Sequence, residues 1–416
     1  MRTGFGLGWL QVAICFILLA CDSLITSVYS VVAAPLDAEF HPPRFVLMLS
    51  MTIMAGVTGI LAPILGGMMD RVSLRRMMAV GGLCLATGYA LLSLVTEFWQ
   101  VLAIFGALIA PANVLIGPIA VTVLLSRWFV KRRGTAIGIA ITGVATGSIV
   151  FPPLLRSLLE HFSWREAFTL LGLVLVVLSV LPTLLVVNHP GERGLHPDGL
   201  PEETAEAREA RFQGGPIGAG EVLSDPTFWI VCAVVAVVTS GMAGMITNLA
   251  QLVLAQGIPL GEAALLITVY GVGGFIAKAT FALISDRVSL RYLMIASLGG
   301  FAAGMACMTQ AHQGIQLVIA GTALIGLFGG IMVPMQSLLA PRIFGERIVG
   351  KAMGLMSMVM LVALLTTPPL FGGIFDLTGS YAPVFWAEAV LAILAILSVP
   401  YIRLHPRGRQ PAAAIA

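Results

Sequence analysis

The sequence predicts an all-α membrane protein. Twelve transmembrane helices are expected, in two six-helix bundles related by a pseudo-two-fold along the membrane normal, with both termini cytoplasmic. Scarce charge, the length of the apolar runs and a repeated hexapeptide predict this. Only 10% of residues are charged against 58% hydrophobic, and mean hydropathy is +0.98. A soluble domain carries about 25% charged residues, so these charges are too few to cover a water-facing surface. The apolar runs match the roughly 20 residues that a helix needs to cross a bilayer. They do not alternate in polarity as barrel strands do.

The first run, 8–33, follows a single Arg and lacks a small-residue cleavage site. It reads as a retained span, not a signal peptide. Runs at 45–67, 77–95, 99–125, 135–155 and 166–187 complete a first bundle, residues 1–187. The stretch 188–226 is rich in Pro, Gly and acids and reads as a cytoplasmic linker, with a short surface helix expected around 202–212. Runs at 227–255, 262–284, 292–310, 314–340, 351–374 and 382–402 form a second bundle, residues 227–416. Cys15, Cys21, Cys84, Cys232 and Cys307 all fall inside spans. Their number is odd and no pair shares a loop, so they read as apolar filler and not as disulfides or metal ligands.

Charge placement gives the orientation. Of 23 Lys and Arg residues, 19 fall on the side of the N-terminus, the even-numbered connections and the C-terminus. Arg44, Arg156 and Arg165 fall opposite, and Lys278 lies within a span. Cytoplasmic loops retain Lys and Arg, which places both termini in the cytoplasm.

The hexapeptide "DRVSLR" occurs at 70–75 and again at 286–291, an offset of 216 residues. At the same offset Gly88 meets Gly304, Gln100 meets Gln316 and Pro118 meets Pro334. Gly138 meets Gly354, and "PPL" at 152–154 meets "PPL" at 368–370. A six-span unit is therefore duplicated in tandem. Six is even, so both copies enter the membrane in the same direction.

"GGMMDRVSLR" (66–75) resembles the major facilitator signature between helices two and three, with Ser73 where that family prefers Gly. The second copy, "ALISDRVSLR", has Ala282 for the first Gly. "RWFVKRRGTAIGIAITGVATG" (127–147) resembles the fifth-helix signature of monocarboxylate transporters, a branch that includes the bacterial oxalate–formate exchanger group. "FSWREAF" resembles that group's G-W-R-x-A-F, with Ser163 for Gly. Proton-coupled drug exporters differ: their fourth-helix Arg and fifth-helix G-P-x-x-G-G ending are missing here. The resemblance implies that Asp70, Arg71 and Arg75, with Asp286, Arg287 and Arg291, gate the cytoplasmic side. A positive-inside anchor is the alternative reading. Arg71 and Arg75 are expected near Asp70 or near the second half's cytoplasmic helix ends when the cytoplasmic side is closed. Gly134, Gly138, Gly143 and Gly147 line one side of span five, which suits close helix packing.

Three ionisable residues lie within spans: Asp22, Lys278 and Glu388. A charge at the bilayer centre costs about 2.5–3.5 kcal/mol on insertion scales, so its default reading is functional. Asp22 is too short to snorkel and reads as the proton-coupling group, with a hydrogen-bonded structural acid as the alternative. Tyr29 is seven residues on, hence on the same face. Lys278 stands four residues before Ala282, where monocarboxylate transporters carry a substrate-binding Arg. The resemblance therefore implies that it binds substrate, and snorkelling to the cytoplasm is the alternative. An ammonium keeps the point charge but loses bidentate pairing. That family's helix-one Lys is absent, with Ser27 as the nearest match. Glu388, near the outer end of span twelve, reads as peripheral. Asn113, Asn248 and Gln251 are polar candidates lining the cavity, and interhelical hydrogen bonds explain each as well.

The function read from the sequence is secondary active transport of a small organic carboxylate. Proton symport is favoured. Anion exchange is the alternative, and drug/proton antiport ranks below it. The expected partners are the carboxylate, the proton and the lipid bilayer. No enzyme motif, cofactor, metal or nucleic-acid signature is present, and a monomer is expected to suffice. Asn113, Asn188 and Asn248 are not glycosylation sequons, which fits a bacterial inner membrane.

Overall fold

A computed structural model of the chain describes residues 2–27, 29–199, 218–255, 260–310, 314–345 and 348–402. The surface helix expected around 202–212 lies outside them. The described residues are helical, with short connections. Eleven helices among them are long and apolar enough to cross a membrane. The expected span 77–95 is also a helix, Leu74–Leu92, but it falls outside that count. Arg75 and Arg76 in its first turn lower its hydropathy.

The chain divides into two compact units, Met1–Pro216 with Phe344–Ser357, and Ile217–Ile343 with Met358–Ala416. Unit 1 begins with α1 (Arg2–Ser27), α2 (Tyr29–Phe40), α3 (Arg44–Met69) and α4 (Leu74–Leu92). A broken span follows: α5 (Phe98–Ile104), a π-turn (Phe105–Ile109), α6 (Ala110–Ile116) and α7 (Pro118–Trp128). Then come α8 (Arg133–His161) and α9 (Trp164–Leu175). Glycine permits a close crossing of α1 on α8. A Cβ on Gly143 would overlap the Phe16 carbonyl oxygen, and one on Gly147 would overlap the Ala20 carbonyl oxygen and Ser23 Oγ. The packing role expected of these two glycines therefore holds.

The chain from 185 to 199 is docked on unit 1. Trp128 Nε1 donates to the Val187 carbonyl at 2.9 Å, and Gln11 bonds Val187 N and Leu185 O at 3.2 and 3.3 Å. Asn188 Oδ1 accepts from Arg75 N at 2.9 Å and from Ser73 Oγ at 3.2 Å. Asp198 Oδ2 accepts the backbone N–H groups of Val130 at 2.7 Å and Lys131 at 2.5 Å.

Unit 2 contains α10 (Ala219–Leu223), α11 (Pro226–Ala255), α12 (Leu260–Ile284) and α13 (Leu290–Thr309). It continues with α14 (Ile315–Leu324), a π-turn (Ile325–Gly329) and α15 (Met332–Phe344). Next is α16 (Val349–Thr378), whose first residues belong to unit 1, and last α17 (Ala382–Ser398). Each half thus has a π-turn in the helix that carries the triplet "ALI", which occurs at 107–109 and, at the same offset of 216, at 323–325. The pairs Pro152–Pro153 and Pro368–Pro369 lie inside continuous helices. The five cysteines are free.

Candidate functional site

α1 is apolar, yet it carries Asp22 at 7% exposure. Asn113 Nδ2 donates to Asp22 Oδ1 at 2.8 Å. The acid lies against a break in the neighbouring span. Pro118 has no N–H and disfavours helix at the residue before it. α6 therefore stops at Ile116, and Gly117 is extended (φ −78°, ψ −165°). A Cβ on Gly117 would overlap the Asn113 carbonyl oxygen and lie 3.4 Å from Asp22 Oδ2. Asp22 Oδ2 accepts no hydrogen bond among the described residues, and Pro118 cannot supply the helical donor to the Val114 carbonyl. An apolar bundle thus holds a niche in which a carboxyl and an amide meet at a break in a helix. Such a niche can hold a proton or a small cationic or hydrogen-bonding group.

Tyr29 is brought elsewhere. Its hydroxyl lies 2.5 Å from Ser50 Oγ of α3, and its ring meets Phe105 edge-on at 5.8 Å. Ser27 Oγ donates to the Ser23 carbonyl at 2.7 Å.

In unit 2, Lys278 on α12 is half-buried and has no hydrogen-bond or ion-pair partner among the described residues. Asn248 Nδ2 donates to the Gly244 carbonyl at 2.9 Å and to the Pro368 carbonyl at 3.2 Å. It ties α11 to α16, which is the interhelical bond given as its alternative. The Gln251 side chain lies outside the described residues. Glu388 is not peripheral as expected but buried, at 7% exposure. It falls on the buried stripe of α17 with Val384, Phe385, Ala389, Ala392 and Ala395.

The loop motif of unit 1 has a built partner. Asp70 Oδ1 accepts the backbone N–H of Gly350 at 2.9 Å, and Oδ2 accepts that of Lys351 at 3.0 Å. The carboxylate caps the first turn of α16, where the helix end is positive. Burial pushes the Asp70 carboxyl up to about 6, against the two N–H bonds and the charges of Arg127 and Lys351, which pull it down. A Cβ on Gly350 would overlap the Gly66 carbonyl, and one on Gly354 the Ala62 carbonyl. Glycines therefore permit this crossing. Arg127 Nη2 donates to the Met69 carbonyl at 2.7 Å.

Arg71 and Arg75, expected beside Asp70 or a helix end, are exposed. Their side chains make no hydrogen bond or ion pair among the described residues. The bases that act on Asp70 are Arg127 and Lys351. In the second copy Arg287 is exposed and Asp286 half-buried. Arg291 Nη2 donates to the Ile402 carbonyl at 3.1 Å. Sequence reasoning missed Gly350, Lys351, Arg127, Asn188 and Asp198. One signal was available: "GKAMG" at 350–354 repeats "GTAIG" at 134–138 at the same offset of 216.

Eleven apolar helices long enough to cross a membrane, in two units, make this a polytopic membrane protein. The chain belongs to the Major Facilitator Superfamily, whose family model matches residues 15–260 and again 234–415. It resembles the monocarboxylate transporters within it. Monocarboxylate transporter 12 of Mus musculus is 24% identical over 97% of this chain and 87% of that one. The human organic anion transporter MFSD10 has the same fold, with a TM-score of 0.71 at 15% identity over 94% of this chain and 99% of that one. So does the E. coli fucose:proton symporter FucP, with a TM-score of 0.68 at 17% identity over 95% and 98%. These relatives are transporters, and the chain is a multi-pass membrane transporter of small organic substrates, not an enzyme.

Proposed function

We propose that the chain is a secondary active transporter of a small organic carboxylate, coupled to protons by symport and working by alternating access. The observation that carries this reading is Asp22, buried in an apolar helix with a single side-chain hydrogen bond among the described residues, to Asn113. A buried acid in a membrane span is by default a functional group. The names of the similar monocarboxylate transporters point to the substrate class. In this reading Asp22 carries the proton and Lys278 holds the carboxylate. Tyr29, Asn113, Asn248 and Gln251 belong to the substrate path. Asp70, with its cap on α16, and Asp286 belong to the gates.

The same reading includes twelve spans, cytoplasmic termini, a pseudo-two-fold between residues 1–187 and 227–416, and a linker at 188–226. It places a functional monomer in a bacterial inner membrane.

The experiment is a thermal-shift screen of small carboxylates on purified protein, followed by uptake of the best binder into proteoliposomes under an imposed pH gradient. Uptake driven by an inward proton gradient is expected. Anion exchange is the second reading, favoured by Lys278, a cation without a partner among the described residues, since an exchanger needs a permanent cation but no titrating acid. Undiminished exchange in Asp22→Asn, with no response to a pH gradient, would select it.

A further inference from the structure

α17 carries one ionisable residue, Glu388, and places it inside unit 2. Its Oε2 is enclosed and meets no hydrogen-bond donor among the described residues. The room for it comes from Gly241 on α11. A Cβ there would lie 2.9 Å from Glu388 Oε2, 3.2 Å from its Cδ and 2.9 Å from the Phe301 ring on α13. A side chain at 241 would force the carboxyl or the Phe301 ring to shift. Phe385, three residues before Glu388, meets Phe371 edge-on at 5.6 Å, so the surroundings are aromatic and apolar.

Among the described residues, the helices packed around it bring no counter-charge into contact with it. Among the described residues, α11 contributes only Cys232 as a titratable group. α13 contributes Arg291, Tyr292 and Cys307. The unit 2 part of α16 contributes Asp376, and Tyr381 precedes α17. None bonds to Glu388. Arg291 is committed to the Ile402 carbonyl, about 20 Å further along the axis from Glu388 at 1.5 Å per residue. An ionised carboxylate with neither donor nor counter-charge is the costly state in such surroundings, and the neutral acid avoids that cost.

We propose that Glu388 is a proton-binding site of unit 2, separate from Asp22, that holds its proton while α11 covers it and exchanges it with water when α11 moves away. The exchange breaks the carboxyl O–H bond heterolytically: the proton passes to water and the carboxylate keeps the electron pair. The face of α11 that covers the site is built for close, limited contact. Gly241 faces Glu388, Gly244 faces the Phe371 ring, and Asn248 clips to Pro368. The site does not depend on the reading of Asp22 or on the identity of the substrate.

The test is infrared spectroscopy of the purified full chain in lipid bilayers at neutral pH. A carbonyl band of a protonated carboxylic acid is expected in the wild type. Its glutamate component should disappear in Glu388→Gln and persist in Asp22→Asn. In the wild type alone, carbon-13 at glutamate carboxyls should shift this band, whether or not the variant folds. Raising the pH should remove the band. A band that carbon-13 glutamate leaves unshifted, or no such band, overturns the proposal. Neither result touches the reading of Asp22, which the pH dependence of uptake tests.

Discussion

Asp70 Oδ2 accepts the backbone N–H of Lys351 at 3.0 Å, across a sequence separation of 281 residues. With the Gly350 bond to Oδ1, one carboxylate satisfies two unpaired donors of a helix end. An amide has one acceptor oxygen, so Asp70→Asn keeps one of these bonds and leaves the other N–H without an acceptor. Leaving that buried donor unsatisfied costs about 1–3 kcal/mol, and each 1.4 kcal/mol is tenfold. The variant should hold this contact about tenfold less often and turn over several-fold more slowly. Its substrate affinity should stay within a few-fold, because the change acts on a conformational equilibrium. Initial rates in proteoliposomes decide it, and wild-type turnover would remove Asp70 from gating.

Acid should strengthen the same contact. The Asp70 carboxyl is raised from 3.8 to about 6 in the folded arrangement, chiefly by burial. The attached state therefore binds more protons than a state with Asp70 in water. Stability from this group is full below about 3.8 and is lost as pH rises through about 6. The melting temperature of wild type relative to Asp70→Asn should rise as pH falls through that window. A difference that is flat or of opposite sign would contradict it.

Asn113→Leu removes the donor to Asp22. Leaving a buried acceptor unsatisfied costs about 1–3 kcal/mol. The melting temperature should fall, and the pH profile of uptake should move. Asp22→Asn should instead leave substrate affinity nearly independent of pH. Binding isotherms from acidic to mildly alkaline pH separate the two variants, and identical pH dependence in wild type and Asp22→Asn would return Asp22 to a structural role.

Lys278→Gln should abolish binding of the carboxylate found by the thermal-shift screen, while Lys278→Arg retains part of it. The point charge survives in arginine, and only the geometry changes. Unchanged affinity in Lys278→Gln would place the anion site elsewhere.

Gly147→Leu should be among the most damaging substitutions on α8. Its side chain would enter the space of the Ala20 carbonyl and Ser23 Oγ on α1. Overpacking of this kind costs about 1–3 kcal/mol. A melting temperature within error of the wild type would show that the crossing can widen freely.

The sequence by itself determined what is one-dimensional in this protein. Apolar length marks most spans, because a bilayer demands a fixed run of apolar residues whatever they touch. Identity at one offset marks the duplication, which is a fact about chain order. Low charge marks the solvent. The sequence also found Asp22, since an acid in the middle of an apolar run stands out without any neighbours.

Tertiary structure decided what depends on rotation about a helix axis and on partners far along the chain. Glu388 and Asp22 look alike in the sequence. Only the packed faces of α17, α11 and α13 show that Glu388 lies in a notch left by Gly241. The hexapeptide drew attention to Arg71 and Arg75, but the loop turns them outward, and Asp70 finds backbone N–H groups 280 and 281 residues away. Backbone donors are present at every residue except proline, so no side-chain pattern could single out Gly350 and Lys351. Their selection comes from the close crossing that Gly66, Gly350 and Gly354 permit.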